Sequence, residues 1–93
     1  MNPFMVMARF RPGTDMQEVL AVAPEEKAAV LALRGEQRIG DVYISAPRQT
    51  VFLETFADDD AAALATVASL PMARWWDLDC FPITMPTIPD EAA

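Results

Sequence analysis

The chain has 93 residues and is 53% hydrophobic, which suffices for one domain with a modest core. Its 14 acidic and 7 basic residues give a net charge of -7 at pH 7, and this balance disfavours binding to nucleic acid or to an anionic membrane surface. The chain has no histidine and one cysteine, Cys80, which excludes Ser-His-Asp and Cys-His catalysis and an intrachain disulfide. A transition-metal site would need carboxylates alone, and no EF-hand spacing is present.

The sequence shows no sign of membrane insertion or secretion. No apolar run approaches the ~20 residues that cross a bilayer, and the first residues lack the basic and apolar regions of a signal peptide. Cys80 falls within a predicted strand, where we expect a buried structural thiol. These features together predict a cytoplasmic protein.

The first part of the chain predicts a strand followed by a helical region. Residues 4–11 alternate between an apolar face and a face of methionine and arginine, which is typical of a strand. Residues 15–33 are predicted to be mostly helical, and Pro24 either kinks this helix or lies in the first turn of a second short helix. Gly35 is predicted as the residue just beyond the helix end.

The middle of the chain predicts a hairpin followed by another helix. Residues 38–45 and 50–56 are predicted strands, joined by a turn at residues 46–49. The next helix begins near Asp58, and Pro71 ends it because the residue before a proline is pushed out of the helical conformation.

The last predicted strand begins at Arg74 and alternates again. One face carries Trp76, Leu78 and Cys80, and the other carries Trp75, Asp77, Asp79 and Phe81. Residues 85–93 contain Pro86 and Pro89 and are expected to form an extended tail, which either reaches across a partner subunit or is disordered.

The element order β-α-β-β-α-β predicts an α+β, ferredoxin-like domain over residues 1–84, with a four-stranded antiparallel sheet and two helices on one face. The other face of the sheet would carry an apolar surface too large to leave in water. Its predicted members are Met5, Met7, Ile39, Tyr43, Phe52, Phe56, Trp75 and Phe81. Pairing with a second copy would bury this surface, so the sequence predicts a homodimer with face-to-face sheets.

Several short segments carry a resemblance to a known family. They are Ala57-Asp58-Asp59-Asp60, Ser69-Leu70-Pro71, Trp75-Trp76, Asp15-Met16, Glu26-Lys27-Ala28, and Gly35 followed by Arg38. Over residues 4–83 the chain thereby resembles muconolactone isomerase. The resemblance implies a dimeric α+β barrel that can assemble into rings of dimers. It also implies a cofactor-free and metal-free isomerase that moves a proton within an unsaturated lactone in aromatic-compound catabolism.

Such an isomerisation needs a base, a donor for the dienolate oxygen and a cation for the substrate carboxylate. The candidate bases are Glu54 and Asp77, because apolar neighbours disfavour a charged carboxylate and so suit a base that works near neutral pH. Tyr43 is the candidate donor. The candidate substrate-binding residues are Arg9 and Arg38, which can hold a carboxylate, together with the aromatic Phe52 and Trp75.

These residues also have structural interpretations. Arg9 can pair with Asp77 or Asp79 across neighbouring strands, Tyr43 can be an interface side chain, and Arg38 can be plain surface. The missing histidines and the methionine-rich first strand favour a different function, a non-catalytic small-ligand-binding or assembly module that keeps the barrel. A heme- or quinone-handling monooxygenase of the same barrel fold is a third alternative. The chain has no histidine to bind heme, although cofactor-free oxygenation of an activated phenol would not need one.

Overall fold

The computed structural model describes residues 1–84, and the predicted tail at residues 85–93 lies outside the described part of the chain. The elements in chain order are β1 Asn2–Phe10, α1 Met16–Ala21, α2 Ala23–Gly35, β2 Ile39–Ser45, β3 Thr50–Ala57, α3 Asp60–Ala68, a 3-10 helix at Pro71–Trp75, and β4 Trp76–Pro82. Within residues 1–84, no helix is long and apolar enough to cross a membrane.

The four strands form one antiparallel sheet in the order β2-β3-β1-β4. This arrangement confirms the predicted α+β class and is compatible with a ferredoxin-like fold, in which the two halves of the chain interleave. Because β1 and β3 occupy the centre, their side chains form the middle of each face of the sheet.

The hydrophobic core lies between the helices and one face of the sheet. Alternate residues of β1 and β3 are buried on this face, as the period-two pattern predicted. Val67 of α3 covers them with no exposed surface, and Trp76 is only 2% exposed. The rings of Phe10 and Trp76 meet edge to face, with centroids 5.9 Å apart and planes at 74°. This aromatic contact joins the end of β1 to the start of β4.

The region around Pro24 forms two separate helices, not one kinked helix. Asp15 caps α1 by accepting a hydrogen bond from the backbone N–H of Gln17 at 2.9 Å. Val22 ends α1 and begins α2. Pro24 lies in the first turn of α2, where its missing N–H leaves no helical hydrogen bond unmade. The second of the two predicted alternatives is therefore confirmed.

The end of α2 differs from the prediction. Gly35 is the last residue of the helix, and the left-handed position beyond it is taken by Gln37, with φ 60°. The N–H of Gln37 bonds to the carbonyl of Arg34 at 3.0 Å, and that of Arg38 bonds to the carbonyl of Leu33 at 2.9 Å. This pair of bonds is a Schellman motif, which satisfies two of the last carbonyls of the helix.

The prediction that the last strand begins at Arg74, with Trp75 on its outer face, is wrong. The segment after Pro71 turns as a 3-10 helix, in which the N–H of Ala73 bonds to the carbonyl of Leu70 at 3.0 Å. The guanidinium of Arg74 lies 4.9 Å from the centroid of the Trp75 ring. Trp75 is half-buried and packs against the core instead of lying on the outer face of the sheet.

Ile39 also lies on the face opposite to the predicted one. It is 1% exposed and belongs to the core. The pairing of β2 with β3 shifts between Ile39 and Val42, and such a bulge reverses the alternation of side chains along a strand. Ile39 and Val42 therefore both lie on the helix side, whereas Tyr43 lies on the outer side.

Candidate functional site

The sheet face that points away from the helices, termed the open face, carries several of the predicted site residues. Phe52 of β3 has Tyr43 of β2 and Met7 of β1 as its cross-strand neighbours. Tyr43 is 59% exposed, and Phe52 is half-buried. The open face thus places the predicted donor Tyr43 beside the predicted aromatic residue Phe52.

Glu54 lies on the same face, next to the bulge in β2. Its Oε1 accepts a hydrogen bond from the backbone N–H of Asp41 at 3.1 Å. A side chain at position 40 would collide with the Glu54 carboxylate and crowd the ring of Phe56, so Gly40 provides the space that the carboxylate occupies. The arrangement gives Glu54 a structural task, because it satisfies a backbone donor that the bulge leaves without a ladder partner.

Asp77, the second predicted base, is held by an arginine that the sequence did not single out. Arg9 is the cross-strand partner of Asp77, but Asp77 Oδ1 accepts from Nε of Arg11 at 3.0 Å. Arg11 also donates to the carbonyls of Arg74 at 2.7 Å and Trp76 at 2.8 Å. Asp77 therefore belongs to a set of Arg11 contacts that links the segment after β1 to the start of β4.

The other predicted substrate-binding residues do not join Glu54. Arg38 precedes β2, and its Nη2 donates to the hydroxyl of Thr66 in α3 at 2.8 Å. Its Nη1 lies 3.5 Å from Oε1 of Glu36. Trp75 lies in the 3-10 helix, as described above. The open face therefore carries Glu54, Tyr43 and Phe52 near one another. Arg9 and Asp77 are cross-strand partners further along the same face, and neither Arg38 nor Trp75 lies on it.

A more enclosed site lies on the helix side of the sheet. A cavity of about 290 Å³ opens between α2, the β2–β3 edge and the 3-10 helix. Its walls are mostly apolar and include Val30, Val42, Leu53, Met72 and Trp76. Two further residues at this cavity, Glu26 and Lys27, carry opposite charges. Small-ligand sites typically have this composition, with apolar walls and a few polar groups that orient the ligand.

Glu26 lines this cavity and lies in an environment that shifts its pKa. Its Oε1 accepts a hydrogen bond from the backbone N–H of Met72 at 2.9 Å, which fixes the orientation of the carboxyl group. Burial raises the pKa of Glu26, and the hydrogen bond from Met72 opposes this rise in pKa. A carboxylate whose pKa is raised at an apolar cavity is a stronger base than an exposed glutamate, which suits a general base.

Trp76 supplies a polar group without a partner. The side chain lines the cavity and is 2% exposed, yet its Nε1 has no hydrogen-bond partner within residues 1–84. Leaving a buried donor unpaired costs about 1–3 kcal/mol, and a ligand oxygen that reached Nε1 would recover this free energy. The buried indole N–H is therefore a candidate donor to a ligand.

Two cations lie at the mouth of the cavity, and they differ in their availability. Arg34 donates from Nε and Nη2 to the carbonyl of Gly40, at 3.2 and 3.0 Å. Lys27 is exposed, and the described part of the chain shows no ion pair for it. Lys27 is thus the cation that is free to meet a ligand carboxylate.

Cys80 does not contribute a reactive group. The thiol is half-buried and packs against the core, in agreement with a structural role. Burial raises the pKa of Cys80, and the negative charges of Asp60 and Asp79 raise this pKa further. Since the thiolate is the nucleophilic form, the thiol of Cys80 is a poor nucleophile at neutral pH. Residues 1–84 also contain no group of three or more side chains arranged to hold a metal ion.

The comparisons with known proteins add no family to this picture. The chain matches none of the protein-family models against which it was scanned, and a search of curated proteins found no significant match. The functional argument therefore depends on the geometry of the site and on the resemblance of short segments.

Glu26 and Trp76 were not predicted as site residues, although one sequence signal pointed to Glu26. Glu26, Val30 and Leu33 recur at helical spacing, so the acid lies on the same side of α2 as its apolar residues. An acid within the apolar stripe of a helix is unusual and indicates a specific task. No sequence signal shows that the Trp76 indole lacks a partner, because that depends on the packing of β1, α2 and β4.

Proposed function

We propose that the protein is a cofactor-independent isomerase that transfers a proton within a small unsaturated lactone or oxo-acid. The reaction takes place in the cavity between α2, the β2–β3 edge and the 3-10 helix, termed the cavity beneath α2. The observation that carries this proposal is the presence of a half-buried, oriented carboxyl group, Glu26, and a buried, unpartnered N–H of Trp76 at one apolar cavity. The resemblance to muconolactone isomerase supports the reaction class and a place in aromatic-compound catabolism.

The roles follow from the requirements of the reaction. The carboxylate of Glu26 removes a proton from a carbon next to the substrate carbonyl, and the resulting dienolate oxygen accepts a hydrogen bond from the Trp76 N–H. The carboxylic acid of Glu26 then returns the proton to the far carbon of the conjugated system. Lys27 binds the substrate carboxylate at the cavity mouth. The proton and the electron pairs balance within the substrate, so no oxidant or reductant is needed.

The raised pKa of Glu26 sets the expected pH dependence. Only the deprotonated form acts as the base in the first step, and burial shifts its formation to a higher pH than for an exposed glutamate. The rate of proton transfer should therefore increase as the pH rises through the pKa of Glu26.

A homodimer is part of the proposal. The open face carries exposed aromatic residues, with Tyr43 59% and Phe81 45% exposed, and Phe52, Met5 and Met7 lie between them. Covering this face with a second copy would remove the apolar surface from water and leave the cavity beneath α2 accessible. Rings of dimers and a cytoplasmic location complete the proposal.

The experiment that tests this function is proton NMR of muconolactone in D2O with catalytic amounts of the protein. The proposal expects deuterium to enter the ring and the isomer to appear with the native chain. Glu26→Gln should lower the exchange rate by about 10²-fold or more, because an amide cannot accept the proton. Glu25→Gln is the matched control, because Glu25 is the exposed neighbour in the same helical turn.

A non-catalytic small-ligand-binding module is the second candidate. It is favoured by the small size and mostly apolar walls of the cavity, which suit a compact ligand without requiring any reaction. Ligand-induced shifts of cavity residues without any deuterium exchange would support this candidate and contradict the isomerase.

A further inference from the structure

We propose that the open face carries a second binding site, a groove that holds the carboxylate of a small organic anion between the guanidinium groups of Arg9 and Arg48. The groove has a volume of about 410 Å³ and is also lined by Met7, Ser45, Thr50 and Phe52. It lies on the opposite side of the sheet from the cavity of Glu26. The inference is therefore independent of the proposed isomerase activity. Because the proposed homodimer would cover Met7 and Phe52, the groove is taken as a site of the free chain, and benzoate binding there should compete with self-association.

The backbone holds the two arginines in place. Arg9 is in the central strand β1, and Thr50 of β3 is its cross-strand partner. Arg48 lies in the turn between β2 and β3, where its N–H bonds to the carbonyl of Ser45 at 3.2 Å. The carbonyl of Arg48 accepts from the Thr50 hydroxyl at 2.8 Å. These hydrogen bonds fix the backbone of the turn around Arg48, and the sheet fixes the backbone of Arg9. Both side chains therefore extend into the groove from fixed backbone positions.

The charges of the two arginines are not neutralised within the described chain. Asp77 lies opposite Arg9, but its carboxylate is bound to Arg11 at 3.0 Å. No acidic side chain lines the groove, and the guanidinium groups of Arg9 and Arg48 form no ion pair or hydrogen bond within residues 1–84. A chain with a net charge of -7 thus keeps two of its 7 basic residues at one concave site whose lining contains no acidic side chain.

The lining of the groove defines the class of ligand. Guanidinium groups bind a carboxylate through paired N–H donors, and two of them can share its two oxygens. Phe52 and Met7 offer an apolar floor for the remainder of the molecule, and Ser45 offers a hydroxyl group. A carboxylate attached to a flat apolar body, such as an aromatic acid, satisfies both parts of the site.

The test is a titration of the native protein with benzoate, followed by NMR of the backbone amides. The proposal expects saturable shifts at the amides of Ser45, Thr50 and Phe52. Arg9→Gln and Arg48→Gln should each weaken binding about tenfold or more, whereas the exposed Arg74→Gln, outside the groove, should not change it. Glu26→Gln should leave benzoate binding at the groove unchanged, which separates this site from the proposed catalytic cavity.

Three results would overturn the proposal. The first is the absence of saturable shifts up to about 10 mM benzoate. The second is an equal loss of binding in the Arg74→Gln control, which would indicate a general charge effect. The third concerns the source of the carboxylate. If Arg48→Gln weakens self-association in sedimentation and leaves benzoate binding intact, the arginines bind an acidic side chain of a second copy instead of a free ligand.

Discussion

The carboxyl group of Glu26 in α2 accepts a hydrogen bond from the backbone N–H of Met72, which lies 46 residues further along the chain, at 2.9 Å. This bond joins the helix to the 3-10 segment that leads into β4. It also orients the carboxyl group at the cavity that Trp76 lines as well. A single contact thus connects the stability of the fold to the chemistry that we propose.

Glu26→Gln should change the pH dependence of stability. The folded pKa of Glu26 is raised above its ordinary value of 4.5, so the folded protein holds this proton more tightly than the unfolded chain does. The contribution of Glu26 is therefore most favourable below the unfolded pKa and is lost as the pH rises through the folded pKa. In thermal unfolding from pH 4 to 8, we expect the melting temperature of Glu26→Gln minus that of the native protein to increase with pH.

The matched control for this measurement is Glu25→Gln, which changes the same charge on the exposed side of the same turn. It should give a difference that varies much less with pH. A difference for Glu26→Gln that is flat across the range would show that burial does not perturb Glu26.

Trp76→Phe should slow the reaction more than it destabilises the fold. The substitution removes the unpartnered N–H and keeps an aromatic ring against Phe10. Losing one donor to a developing oxyanion costs about 10²–10³-fold in rate. Steady-state rates of deuterium exchange and urea unfolding should be measured on the same samples. Trp75→Phe is the control, and equal rate losses in the two variants would contradict the assignment of the donor.

Glu54→Gln tests which face of the sheet carries the chemistry. A glutamine oxygen can still accept from the N–H of Asp41, so stability should be nearly unchanged. The exchange rate should stay within about threefold of the native value, because Glu54 has a structural task on the open face. Glu54→Ala should instead cost about 0.5–1.5 kcal/mol of unfolding free energy through the lost hydrogen bond to the Asp41 N–H. A loss of exchange in Glu54→Gln with a normal fold would restore Glu54 as the base.

The proposed dimer can be tested with two neighbouring residues of β2. Tyr43 points to the open face, and Ile44, which is 73% exposed, points to the helix side. Tyr43→Glu should raise the dissociation constant of the dimer by about 10²-fold, because it buries a charge in the interface. Ile44→Glu should leave this constant nearly unchanged. Sedimentation velocity across micromolar concentrations measures both, and a monomeric native protein would contradict the proposed dimer directly.

The parts of the fold that depend on local patterns could be predicted from the sequence. The alternation in β1 and β3 gave the correct buried faces, and Pro24 marked the boundary between α1 and α2. Pro71 correctly indicated a helix end. The 3-10 helix after Pro71 was not predicted, because tertiary packing overrides local propensity, and the packing of Trp75 and Trp76 decides where the strand begins.

The candidate site was less predictable, since its features depend on contacts between distant segments. Ile39 was placed on the wrong face because one bulge, supported by Glu54 and Gly40, reverses the alternation of β2. Asp77 was predicted as a site residue, but it forms an ion pair with Arg11, whereas the sequence pointed to Arg9 as its partner. Glu26 became a candidate only when the cavity and the Met72 contact were known.

The most direct test of the central claim is the rate of deuterium incorporation into muconolactone as a function of pH, measured by proton NMR for the native protein and for Glu26→Gln. The account predicts that the native rate rises sigmoidally through the raised pKa of Glu26 and that Glu26→Gln removes this pH-dependent component. A native rate that does not depend on pH, a profile that survives in Glu26→Gln, or no exchange by the folded protein at any pH would contradict the claim that Glu26 is the base.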